Sequence, residues 1–181
     1  MCAQLDSKLG FNAEIKYPLD LEDGTHEAEN VKWLNRNHYV DIIIKELYAA
    51  NKLDNQRCII LTTFDPHLCA MMRRKQSKFP VLFLTNGKTK RWIPYKDYRC
   101  KNTQISINYA RSEGFHGIVA HSEELSQNLH LTKILFNHTT KSANFLSYCW
   151  GDELNEIEKR KLFLDHGIDG IIYDRINELN N

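Results

Sequence analysis

The sequence predicts an α/β fold organised on a parallel sheet. Six short runs are buried in character, and the one at residues 57–64 is apolar almost throughout, as a strand covered on both faces is. These runs alternate with segments of helical spacing, the pattern of a parallel α/β architecture. No interior linker or low-complexity tract divides the chain, so its 181 residues make one domain with a sizeable core.

The first strand is expected over residues 10–17, Gly10-Phe11-Asn12-Ala13-Glu14-Ile15-Lys16-Tyr17. At a period of two, Asn12, Glu14 and Lys16 share one face, and Phe11, Ala13 and Ile15 the other. A carboxylate and an ammonium two residues apart on one face are unfavourable to bury unless they meet each other, a metal or a ligand. Two readings stay open: a surface ion pair on an edge strand, or a functional pair near the strand's C-terminal end.

Residues 18–37 form a long polar stretch carrying Asp20, Glu22, Asp23, Glu27 and Glu29. Its spacing matches no EF-hand loop. A solvated loop is expected, and its length also suits a lip over a site. His38 to Lys52 reads as an amphipathic helix, with Val40, Ile43, Ile44, Leu47 and Tyr48 at helical spacing. The second strand spans residues 57–64. Asp65-Pro66 then opens a helix to about Lys78, with Asp as N-cap and Pro at the first helical position. Its Leu68, Met71 and Met72 face inward, while Arg73, Arg74, Lys75 and Lys78 make a wet basic face.

Residues 79–85 give the third strand, closed by Asn86-Gly87. A basic, aromatic loop follows (Lys88, Lys90, Arg91, Trp92, Tyr95), then a weaker helix from Thr103 to Arg111. Gly117 to His121 is a fourth strand ending on a histidine, and Ser122-Glu123-Glu124 opens an irregular helix to about Lys141. Residues 144–150 form the fifth strand. Gly151-Asp152 turns into a charged helix from Glu153 to His166, and Gly170 to Asp174 is the sixth strand. Six strands of this kind suit either an open doubly wound sheet or part of an eight-stranded barrel.

With 24 basic against 23 acidic residues, the formal net charge is +1. That balance gives a nucleic-acid partner no support, and any phosphate recognition should be local. Composition, 42% hydrophobic and 26% charged, is that of an ordinary globular chain. No run approaches ~18 uninterrupted apolar residues, so no membrane span is expected. Residues 1–9 lack the layout of a signal peptide. Five scattered cysteines without a CxxC pair fit reduced thiols in the cytoplasm, with Cys58 and Cys149 as small buried hydrophobes.

Five segments in order carry a family resemblance. Gly10 to Lys16, Thr62 to Pro66 with Lys75 to Thr85, Tyr148 to Asp152 and Gly167 to Arg175 resemble the third, fourth and fifth, seventh and eighth strand units of glycerophosphodiester phosphodiesterases. Within that family the likeness is strongest to the eukaryotic branch that hydrolyses glycerophosphocholine. The resemblance implies a partial TIM (β/α)8 barrel, strand units three to eight, lacking the first two. It implies hydrolysis of a small glycerophosphodiester to glycerol 3-phosphate and an alcohol, with a divalent cation, Mg or Ca. Carried over residue by residue, it makes Glu14 a metal ligand, Lys16 a phosphate contact and Trp150 an aromatic bordering the substrate. His121, at a strand's C-terminal end, either faces that pocket or is a structural histidine. A Cys149–His121 nucleophile and base pair is disfavoured.

The family's His-Arg, Glu-x-Asp and second His have no counterpart before Gly10. The resemblance therefore leaves this chain without the paired catalytic histidines and with an incomplete metal site. The expectation is a C-terminal fragment, inactive alone, whose open edges pair with a missing N-terminal segment. The alternative is a catalytically silent barrel remnant that binds a phosphorylated ligand or a protein partner.

Overall fold

The computed structural model describes residues 9–28, 32–53, 57–130, 132–133 and 144–175. Its strands are β1 (Phe11–Glu14), β2 (Ile59–Thr63), β3 (Val81–Thr85), β4 (Gly117–His121), β5 (Leu146–Trp150) and β6 (Gly170–Ile172). They form one sheet in the order β1-β2-β3-β4-β5-β6, and every neighbouring pair is parallel. A doubly wound sheet reverses its order at a switch point, whereas strands laid down in chain order wind in one direction as a barrel does. The sheet is thus an arc of barrel.

Helices α1 (Arg36–Leu53), α2 (Pro66–Lys75), α3 (Thr103–Ser112), α4 (Ser122–Gln127) and α5 (Ile157–Asp165) supply crossovers between the strands. Strand alternation gives the sheet two apolar faces. Leu61, Val81, Phe83, Ile118 and Cys149 pack with helix residues such as Val40, Leu68, Met72, Ile107 and Phe163 on the outer, convex side. Leu82, Leu84 and Val119 face the other way, among Ile60, Leu146, Tyr148, Trp150 and Ile172. This second group is the barrel interior.

The Asp65-Pro66 start signal acts as its chemistry dictates. Asp65 is fully buried and its Oδ1 accepts from the N–H groups of His67 (2.8 Å) and Leu68 (3.0 Å). Its Oδ2 takes the Arg36 guanidinium at 2.7 Å, which ties α1 to the start of α2. Helix α2 ends at Lys75, short of Lys78, because the Gln76 amide closes on the backbone of Phe79 from both sides. Its basic face is largely paired, Arg74 with Glu113 and Lys75 with Asp41.

Other boundaries shift for local reasons. Strand β1 stops at Glu14, so Lys16 lies beyond it. The charged segment after Trp150 splits into a 3₁₀ turn (Asp152–Asn155) and α5, because Glu156 between them is extended. Helix α4 ends where Asn128 leaves helical geometry, and its expected extension towards Lys141 falls largely outside the described residues. Cys149 is buried as expected, but Cys58 is exposed. Two residues before Ile60, it shares the inner face at the N-terminal mouth of the arc, and no described strand covers it there. Gly117 is obligatory, because a Cβ there would lie 2.2 Å from the Leu146 carbonyl oxygen across the β4–β5 pairing.

Candidate active site

The C-terminal ends of the strands, with the loops that follow β1 and β3, build the site. Strand β1 aims Asn12 and Glu14 inward, and Thr62 on β2 donates its hydroxyl to Asn12 Oδ1 at 3.0 Å. Beyond the strand end, Lys16 Nζ returns to Glu14 Oε1 at 3.1 Å. The Lys16 side chain is 79% exposed and that of Glu14 36%, so this pair contributes little stability. It leaves both groups available to a ligand.

From the far side of the arc, Trp150 ends β5 and points inward, its indole N–H donating to the Thr85 carbonyl at 3.1 Å. Asn12, Glu14, Lys16, Thr62, Phe64 and Trp150 border one cavity of 200 Å³. Side chains from the first and fifth strands meet there because the arc curls. Lys16, Glu14 and Trp150 are therefore brought together.

His121 ends β4 on the same inner face. Its ring lies 4.5 Å from that of Trp150 and 5.1 Å from that of Trp92. Burial holds its imidazole below the ordinary histidine pKa, and Nδ1 is buried without a hydrogen-bond partner among the described residues. It faces the site as a neutral ring, tilted against Trp150 and edge-on to Trp92. Cys149 points to the outer face, where burial pushes its thiol far up and keeps it protonated. Opposite faces of the sheet separate Cys149 from His121, so they form no nucleophile and base pair.

Sequence reasoning missed the loop residues. The polar stretch after β1 is not simply solvated: Leu19 is buried, and Leu21 bridges to Tyr95 of the loop after β3. Glu22 N–H donates to the Pro94 carbonyl and Lys96 N–H to that of Asp20, both at 2.9 Å. The two loops thus form a joint lip. On it, Glu27 accepts from Leu19 N–H (2.9 Å) and the Tyr95 hydroxyl (3.0 Å). Trp92 stacks on Trp150 at 5.4 Å, and Phe64 meets Trp150 and Tyr95, each at 5.6 Å. A cleft of 470 Å³ opens among these rings. The aromatic loop 88–95 and the length of the polar stretch were the local signals; nothing in the sequence ties Glu27 to that loop.

The model of the glycerophosphoryl diester phosphodiesterase family matches residues 1–178. The chain belongs to that family.

Among similar proteins, the glycerophosphocholine phosphodiesterases GPCPD1 of Rattus norvegicus and Homo sapiens are 35% and 34% identical over 95% of this chain. The glycerophosphocholine phosphodiesterase GDE1 of Candida albicans is 30% identical over 96% of it. The chain spans 24% of the length of the rat and human proteins and 14% of the fungal one. A solved glycerophosphodiester phosphodiesterase from Parabacteroides distasonis superposes with a TM-score of 0.53 at 17% identity, covering 77% of this chain and 47% of that one. A second structure, from Silicibacter pomeroyi, gives 0.54 at 16% identity, covering 76% and 41%. Both share the fold of this glycerophosphoryl diester phosphodiesterase chain.

A divalent cation, implied by the family resemblance, finds Glu14 on the inner face, with an ammonium 3.1 Å from it. Among the described residues, no three His, Cys, Asp or Glu side chains cluster as a metal site would require. These residues alone do not fit a bound cation.

Proposed function

We propose that this chain forms one substrate-binding wall of a phosphoric diester hydrolase. The reaction cleaves a small glycerophosphodiester, glycerophosphocholine being favoured by the relatives, to glycerol 3-phosphate and an alcohol. The convergence of Glu14, Lys16 and Trp150 on one cavity at the strand ends carries this reading. Lys16, held only by an exposed pair, exchanges Glu14 for a phosphodiester oxygen and offsets its charge. Trp150 gives the non-reacting part of the substrate a flat apolar wall. Glu14 is the residue here that would contribute to a cation site completed by other carboxylates.

On this reading, residues 1–181 make a single incomplete barrel domain, and the open edges of β1 and β6 take further barrel strands that carry the paired histidines. Free thiols at Cys58, Cys69, Cys100 and Cys149 support a cytoplasmic setting. Among the described residues no helix is long and apolar enough to cross a membrane.

The test is glycerophosphocholine hydrolysis with and without Mg²⁺, by the isolated chain and by a protein carrying it within a complete barrel. Turnover is expected only in the complete barrel, cut by Lys16→Ala and lost in Glu14→Ala. A complete barrel indifferent to Glu14→Ala sinks the assignment. Absence of turnover in any context, with retained phosphate-ligand binding, favours the silent remnant instead.

A further inference from the structure

The loop after β1 and the loop after β3 meet over a cleft whose chemistry goes beyond the Glu14–Lys16 corner. We propose that Glu27, Phe64, Trp92, Tyr95 and Trp150 form a seat for a quaternary ammonium, the cationic head of a glycerophosphodiester. The assignment rests on the phosphodiesterase reading and specifies where the leaving alcohol binds.

A quaternary ammonium has no N–H to donate, so aromatic faces and a nearby negative charge recognise it, not hydrogen bonds. The 470 Å³ cleft offers both, with four aromatic rings and the Glu27 carboxylate on its walls. Glu27 accepts from one backbone N–H and one phenol and has no cationic partner among the described residues. Arg91 also borders the cleft, but it is paired with Asp152 and lies over the Trp92 ring.

Glu27, Phe64 and Tyr95 also line the 290 Å³ cleft that contains Glu14 and Lys16. One ligand can therefore reach from a phosphate at Lys16, past Glu27, to the aromatic seat. Burial and the Glu27 charge both push the Tyr95 phenol up, so it stays a hydrogen-bond donor that fixes the carboxylate. The loop bearing Trp92 is also held. Glu123 accepts from the Thr89 hydroxyl (2.7 Å) and Lys90 N–H (2.8 Å), and Glu124 from Lys88 N–H (3.0 Å). A seat already in place loses little entropy when filled.

Choline chloride titrated into the 181-residue chain and followed by tryptophan fluorescence tests the seat, with glycerol 3-phosphate as a second probe. Saturable choline binding is expected, weakened about tenfold by Glu27→Gln and by Trp92→Ala. Glu27→Gln keeps an acceptor for Leu19 and Tyr95, so it decides the outcome even where Trp92→Ala fails to fold. Glycerol 3-phosphate binding should survive Glu27→Gln and weaken in Lys16→Ala. No saturable choline binding, or equal affinity in Glu27→Gln, overturns the seat while leaving the phosphodiesterase reading intact. Choline binding that depends on Glu27, in a protein that hydrolyses no glycerophosphodiester, upholds the seat and removes that reading.

Discussion

Glu14 and Lys16 show how one residue pair carries two meanings. An exposed contact of 3.1 Å is weak, and weak self-pairing suits groups that must release each other for a ligand. His121 is the opposite case, a ring enclosed by Trp92 and Trp150 whose Nδ1 has no hydrogen-bond partner among the described residues and lies 3.9 Å from Glu123 Oε2. Burial depresses its pKa, opposed by Glu123 and Glu153, so the folded chain holds it neutral while the unfolded chain protonates it below about pH 6.5. Its contribution is thus complete above that pH and is lost as pH falls towards the folded-state value. His116, also depressed by burial, adds to the same trend. Urea midpoints should drop on acidification, and His121→Phe should flatten the dependence in part. An unchanged slope in that variant would mean His121 is not the titrating group. The sequence placed this histidine at a strand end but left its role undecided, because its enclosure depends on Trp92, distant in the chain.

At the scale of elements, Asp65 joins two helices to one strand end. It caps α2 through two backbone N–H groups and receives Arg36 from α1. Asp65→Ala removes both the cap and the charge-assisted bond, for an expected loss of about 2–3 kcal/mol. Asp65→Asn keeps a capping oxygen and should lose roughly half as much. Thermal melts separate them, and equal losses would assign the whole effect to Arg36. The cap was legible because Asp-Pro acts on its own neighbours. Arg36 was not, since it lies 29 residues away and meets Asp65 only after the β1–α1–β2 crossover forms. The split after Trp150 was not legible for a local reason: an extended Glu156 interrupts a segment whose composition is that of a helix.

The whole molecule is a parallel arc with both outer edges unpaired among the described residues. On β1, the N–H groups of Phe11 and of Ile15, just past its end, bond to the β2 backbone, so those of Asn12 and Glu14 point to the open edge. Such an edge invites another strand. Light scattering of the isolated chain should show association that rises with concentration, and Asn12→Pro, which removes an outward N–H, should reduce it. A chain that stays monomeric at every concentration would show that the edge is protected. Alternating apolar runs, start signals and ordered motifs were enough for the sequence to determine strand number, their parallel character and the family. These rest on short-range periodicity and on the order of residues along the chain. The curl that joins Glu14 to Trp150, the lip that joins Glu27 to Tyr95 and the exposure of Cys58 were decided only by the tertiary structure. Each depends on groups far apart in sequence, and their distances are set by how the sheet bends and which loops it brings together.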